Sequence, residues 1–224
     1  MEGNLLNEMD SLIENISSKI ALNLCQSKDK SSEEFAVLKY GVFVFVHISI
    51  AAIFTIIFGI LTKTLFQIVT IFLLGGLMKR YSGGVHCSSP NRCVITGIII
   101  SYTFALIGKN IVNIDLKIGY MLGMVALIHS FIILYKKCPV PSENKPLKKE
   151  ETRKKLRKNA FLIYSICVVL FILNILLNLQ SAYTILNSLV VCIILGLYMQ
   201  TLSLTSIGIK FILFLDKVLL KFRI

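Results

Sequence analysis

Apolar runs close to twenty residues long recur along this chain, bounded by cations, and few folds have room for so many of them. A helix that crosses a membrane needs ~20 apolar residues, because ~30 Å of hydrocarbon is covered at ~1.5 Å per residue. Six segments qualify or nearly so: 40–60, 64–78, 93–114, 118–135, 160–179 and 183–207. The second is the shortest and lies between Lys63 and Lys79. The expected fold is therefore all-α, a polytopic integral membrane helix bundle with six transmembrane segments. Four full spans plus two re-entrant segments is the alternative. Hydrophobic residues make up 55% of the 224 and charged residues 16%, against ~25% charged in globular domains. That balance excludes a disordered chain, a collagen-like repeat and a conventional water-soluble enzyme.

Charge placement tests the division. The chain carries 24 Lys and Arg against 12 Asp and Glu, a net +12. In a soluble protein this would suggest nucleic acid. With the N-terminus inside and six spans, 21 of the 24 cations fall on the inner side, and only Lys63, Lys109 and Lys117 fall outside. Ten of the 21 crowd into residues 136–159. This is the asymmetry of the positive-inside rule. It predicts cytoplasmic termini and anionic membrane lipid as a partner, with no nucleic acid.

Three regions follow. Residues 1–39 form a cytoplasmic amphipathic segment, with Leu5, Met9, Leu12, Ile16 and Ile20 at helical spacing. Residues 40–207 form the transmembrane domain, with a short polar connection at 79–93 and a basic one at 136–159. Residues 208–224 form a basic amphipathic tail. No cleavable signal peptide is expected, since the first long apolar run starts near Tyr40 without a basic segment in front. Residues 139–146 read as a Pro-rich stiff linker, followed by a basic helical run over 148–158. Of the six cysteines, Cys167 and Cys192 lie in apolar segments and read as small buried hydrophobes. Cys25, Cys87, Cys93 and Cys138 fall on the inner side, where thiols stay reduced. His47 and His129 are expected to be satisfied by neighbouring helices, with a proton relay as the alternative. Gln200, Thr201, Ser203, Thr205 and Ser206 are expected to join helices.

The connection Lys79–Cys93 is chemically unlike the rest. It holds Gly83, Gly84, His86, Cys87, Ser88, Ser89 and Cys93 beside Lys79, Arg80 and Arg92. A cysteine nucleophile acts as a thiolate, which a nearby imidazole can generate. Seven residues of straight helix would hold His86 and Cys93 ~10.5 Å apart, too far for proton transfer. Pro90 disfavours helix on its N-terminal side, so the chain can turn and bring His86 back over the start of the next helix. Cys93 would then sit near a helix N-terminus, where the end potential favours an anion. Gly83 and Gly84 allow close approach of a peptide, and their N–H groups are candidates for an oxyanion. Lys79, Arg80 and Arg92 are candidate counter-charges for a thiolate or an acidic substrate. Cys87 is the rival nucleophile, disfavoured because adjacent side chains diverge. A zinc site from His86, Cys87 and Cys93 is a further alternative, as is a polar loop without chemistry.

The pattern Lys79-Arg80-x-x-x-Gly84-x-His86-x6-Cys93 resembles the accessory gene regulator B (AgrB) family, and so does the Pro139–Pro146 stretch before a basic run. The resemblance implies an integral-membrane cysteine endopeptidase of a Gram-positive bacterial cell membrane, multi-pass, with its site at the cytoplasmic face. Its substrate would be an AgrD-type precursor peptide, cut on its C-terminal side. The acyl group would be held as an enzyme thioester, then passed to a Cys or Ser within the peptide to close a thiolactone or lactone for quorum sensing. The resemblance assigns catalysis to His86 and Cys93 and puts Arg80 and Gly84 on family-typical positions. Cys87 departs from the pattern, where a small residue such as Ala is usual. A homodimer is implied, with no metal or other cofactor. Such precursors carry an acidic tail, and Lys154, Lys155 and Arg157 are the cations expected to steer it. A small-peptide transporter or a non-catalytic membrane scaffold are the alternatives.

Overall fold

In a computed structural model, residues 5–25, 32–111, 116–141, 147, 149–178 and 184–222 are described. They form eight helices: α1 (Leu5–Cys25), α2 (Ser32–Leu61), α3 (Leu65–Ser82), α4 (Pro90–Ile111), α5 (Leu116–Lys137), α6 (Glu150–Asn178), α7 (Thr184–Ser203) and α8 (Ser206–Lys221). The fold is all-helical, as the apolar runs predict. Among the described residues, five helices are long and apolar enough to cross a membrane: the greater parts of α2, α5, α6 and α7, and all of α4. They make this a multi-pass membrane protein. The remaining predicted segment, 64–78, is α3. Its 18 residues rise ~27 Å, and its last turn carries Lys79 and Arg80.

Some boundaries differ from expectation. The segment at 183–207 divides into α7 and α8. Thr205 caps α8 by accepting the Gly208 N–H at 3.0 Å, which gives the new helix its own start. Gly208 lies directly on the Leu202 carbonyl, where a side chain would collide. The basic run and the segment at 160–179 form one continuous helix, α6. Helix formers without Gly or Pro link them, so nothing stops the helix where the charged run gives way to the apolar one. Leu5, Met9 and Leu12 lie in α1, but their side chains fall outside the described residues, as do Cys25's side chain, residues 142–146 and Lys148.

α2 and α3 form a tight helical hairpin. Thr62, Lys63 and Thr64 make the turn, with Thr64 N–H donating to Gly59 O at 2.9 Å. α3 then runs through the middle of the bundle, packing most extensively on α7 and also on α2, α4 and α6. Glycines permit that contact. A Cβ on Gly196 of α7 would stand 3.0 Å from Ile71 O and 3.2 Å from Leu74 Cβ. On α3, a Cβ at Gly75 would collide with the Met199 terminal methyl. Small residues let membrane helices approach until their backbones touch, and dispersion then holds them. Met78, Leu127, Leu134, Phe171, Ile194 and Leu197 fill the adjoining core. Outside it, α1 packs on α2 through buried Ile13, Ser17 and Ala21, and α8 packs on α4 and α7.

Polar contacts tie the cation-rich helix ends together at one end of the bundle. Lys137 Nζ donates to Leu204 O at 3.0 Å, and an Arg157 guanidinium N–H donates to Tyr135 O at 2.8 Å. Deeper in, His129 Nδ1 meets Tyr198 O–H at 3.1 Å and Ser130 meets Thr201 at 3.0 Å, so these polar groups join α5 to α7. His47 instead contacts Phe43 O of its own helix at 3.1 Å.

The glycine contact yields a stability test. Gly196→Val is expected to destabilise the bundle by about 1–3 kcal/mol through overpacking. Gly76→Ala, at a position with open space beside it, is expected to stay within about 1 kcal/mol. Thermal unfolding in detergent compares the two, and equal unfolding temperatures would refute the backbone contact.

Candidate active site

The site is the non-helical stretch between α3 and α4. α3 ends at Gly83, whose φ of 73° suits glycine, and Gly83 N–H caps the helix by donating to Lys79 O at 2.9 Å. Val140, just past α5, donates its N–H to Ser82 O at 2.8 Å and forms a parallel bridge with Gly83. A side chain on Gly83 would strike the Val140 carbonyl. Gln200 of α7 donates to Ser82 Oγ at 3.0 Å and to Gly83 O at 2.9 Å. Lys79 Nζ donates to Val85 O at 3.1 Å. The chain up to His86 is thus held by α3, α7 and the segment after α5.

The turn expected at Ser88-Ser89-Pro90 is present. Pro90 opens α4, a position where its missing N–H costs nothing. Cys93 N–H donates to Ser89 O at 3.0 Å, which places Cys93 in the first turn of the helix. His86, exposed, returns over that turn, and its Nδ1 stands 3.9 Å from Cys93 Sγ. Contacts of this kind are often long before substrate binds and tighten afterwards. Cys87 donates to Thr96 Oγ1 at 3.6 Å and is also within hydrogen-bond reach of Cys93. Its thiol is pushed above the ordinary range, first by a hydrogen bond with Cys93 and then by burial. The neutral form is thereby favoured at Cys87.

Two expected roles change in the structure. Gly83 N–H is used by the α3 cap and is not available for an oxyanion, while Gly84, buried, has φ of 126°. Arg92 does not direct its charge at a thiolate: its Nε donates to Asp216 Oδ1 of α8 at 2.9 Å, in a buried ion pair. Asp216 Oδ2 also accepts from Ser88 N–H at 3.1 Å and from Ser88 O–H at 2.7 Å, and Arg92 donates to Ser88 Oγ at 2.8 Å. Burial opposes ionisation of Asp216, yet the Ser88 hydroxyl and N–H and the Arg92 guanidinium hold its carboxyl below the usual range. Sequence reasoning missed Asp216 because no carboxylate lies near His86 in the chain. A signal existed: Ile212, Asp216 and Leu219 form the buried stripe of α8, so a lone acid falls on an apolar face.

The remaining predicted residues stand apart from the pair. Arg80 lies in the last turn of α3 with its guanidinium 5.8 Å from the Tyr81 ring centre. Lys154 and Lys155 are exposed on the first turns of α6, Lys154 pairing with Glu150 at 2.9 Å. Arg157 is half-buried, stacked over Tyr135 and Phe161. Cys138 is buried, which pushes its thiol up to about 11. Among the described residues no three His, Cys, Asp or Glu converge to hold a metal ion.

Comparison with known proteins agrees with the motif. The family model for accessory gene regulator B matches residues 13–204. An AgrB-like protein of Clostridium perfringens strain SM101 is 29% identical over 199 residues, covering 88% of this chain and 93% of that protein. One from strain 13 of the same species is 28% identical over the same length. An AgrB-like protein of Listeria innocua is 30% identical over 141 residues, 61% of this chain and 66% of the relative. No solved structure matches the chain significantly. With the family model covering α3, α4 and the loop between them, the chain belongs to the accessory gene regulator B (AgrB) family.

Proposed function

We propose that the protein is a membrane cysteine endopeptidase that cuts an AgrD-type propeptide on the C-terminal side of its signal segment and supports thiolactone or lactone closure. Family membership supports a role in the agr quorum-sensing system. The observation that carries the enzymatic reading is the 3.9 Å approach of His86 Nδ1 to Cys93 Sγ, at the start of a candidate membrane span.

The chemistry runs in two acyl transfers. His86 accepts the Cys93 proton as the sulfur attacks the scissile carbonyl carbon. The tetrahedral oxyanion forms beside Gly84 N–H. It collapses by breaking the C–N bond, and His86 returns the proton to the departing amine of the C-terminal fragment. The thioester on Cys93 is then attacked by a Cys thiol or Ser hydroxyl within the same peptide. His86 takes that proton, the new thioester or ester closes the ring, and the Cys93 thiol is regenerated. Ring closure without net hydrolysis needs the thioester kept from water, and a site on the first turn of a largely apolar helix supports that.

We further propose that the site faces the cytoplasm, where cation-rich ends of α3, α5 and α6 would lie under the positive-inside rule, and that the working unit is a homodimer. Lys154, Lys155 and Arg157 are proposed to steer the acidic tail of the precursor, the first two from exposed positions.

Three outcomes test these readings. Reconstituted protein is incubated with a precursor peptide and the products are followed by mass. Cys93→Ala and His86→Ala are expected to abolish cleavage, while Cys87→Ala keeps most of it; an active Cys93→Ala protein refutes the assignment, and peptide flux without processing would favour a transporter. Reversing Lys154 and Lys155 to Glu, with the packed Arg157 left in place, is expected to slow processing and flatten its salt dependence. An unchanged rate in correctly inserted protein rejects steering. A thiol reagent at pH 7 is expected to label Cys93 at least ~10-fold faster than Cys87, since a thiol held protonated is a poor nucleophile. Cys87 labelling should rise only as the pH becomes alkaline, because a raised pKa delays the thiolate. Peptide mapping reads both, and equal labelling at pH 7 counts against Cys93 as the nucleophile.

A further inference from the structure

We propose that Asp216 of α8 is the positioning residue of this active site, and that α8 is a working part of the enzyme. The inference rests on the His86/Cys93 reading and adds to it the group that holds the two residues in register. The seven-residue step from His86 to Cys93 closes only because the chain reverses between them. Asp216 grips that reversal from both sides. One carboxylate oxygen takes the N–H and O–H of Ser88, two residues after His86. The other takes Nε of Arg92, the residue before Cys93. Arg92 also donates to Ser88 Oγ, which closes a ring of four hydrogen bonds around the turn.

Several features distinguish this ring from a surface ion pair. Arg92 is 8% exposed and Asp216 is 7% exposed. Charge-assisted bonds in such surroundings are short and directional. The carboxylate uses both oxygens on groups of the loop and its helix, so it fixes orientation as well as distance. α8 is itself seated: Ile212 and Leu219 flank Asp216 on the buried stripe, and Thr205 starts the helix two residues after α7 ends. A carboxylate on a rigid helix that orients a reacting pair through two intermediate residues is a supporting shell of the kind active sites require. The family match ends at residue 204, so this shell comes from a helix beyond the matched region.

Asp216 touches neither Cys93 nor His86 in any described contact, so its loss should act through geometry. Displacement of a reacting group by ~1 Å costs about 100-fold in rate. The test uses the full chain in phospholipid vesicles, with a precursor peptide for turnover and iodoacetamide for Cys93. Asp216→Ala is expected to lower kcat about 100-fold with KM within about twofold, and to slow Cys93 alkylation about tenfold. Asp216→Asn is expected to recover part of both, because its amide oxygen still accepts from Ser88. Removing the carboxylate from beside the buried Arg92 guanidinium threatens folding. The double variant Arg92→Met with Asp216→Leu replaces the pair with apolar groups and should fold like the parent. It is expected to show the same losses as Asp216→Ala. A folded double variant with parental kcat and parental alkylation overturns the positioning role. A parent protein that alkylates normally but processes no precursor overturns the proposed function instead, and the alkylation ratio still decides whether Asp216 positions the pair.

Discussion

Backbone polar groups need partners wherever a chain leaves the helix inside a packed bundle, and residues 83–89 are where this chain does so between α3 and α4. Each anchor of the stretch comes from a different element. Val140 pairs with the end of α3, Gln200 of α7 binds the Gly83 carbonyl, Lys79 binds the Val85 carbonyl, and Asp216 of α8 binds Ser88. The geometry of His86 and Cys93 depends on all four. A loop held from several sides has few conformations to lose when substrate arrives, and that is the sense in which such a site is preorganised.

Those anchors depend in turn on how closely α3 and α7 approach. Gly196 touches the Ile71 backbone, and Gln200 lies one helical turn further along α7. The glycine contact therefore sets the depth at which the Gln200 amide reaches the end of α3. A wider separation would move the amide away from Ser82 and Gly83 and leave polar groups of the loop without protein partners. Packing in the bundle and hydrogen bonding at its end are one arrangement. The two cysteines of the loop show how local that arrangement is. They are six residues apart, and while Cys93 approaches His86, Cys87 divides its contacts between Thr96 and Cys93.

Much of this was legible along the chain. Apolar length marked the helices of the bundle, and the crowding of Lys and Arg into alternate connections anticipated that the basic ends gather on one side. Pro90 announced the turn that brings His86 back to Cys93. The boundary between α7 and α8 was not legible, because Leu204 and Thr205 interrupt an apolar run without a Gly or Pro and only the cap at Thr205 marks the restart. The basic run and the following apolar segment read as two elements, since charge changes between them while the backbone continues as one helix. Arg92 read as a counter-charge for a thiolate or an acidic substrate, because its actual partner, Asp216, is far away in the chain.

Hydropathy, charge and helix-breaking residues are properties of neighbours in sequence, and they determined the all-helical class, the polar connection at 79–93 and the turn that lets His86 return toward Cys93. Tertiary structure decided what orients that pair. Ser88 and Arg92 meet Asp216 across 128 and 124 residues of chain, and Gln200 meets Gly83 across 117. Contacts at such separations follow from how helices stack, which hydrophobic periodicity constrains only to a face. The sequence could show that Asp216 lies on an apolar face of α8; only the packing of α8 against α4 made that carboxylate the partner of Ser88 and Arg92.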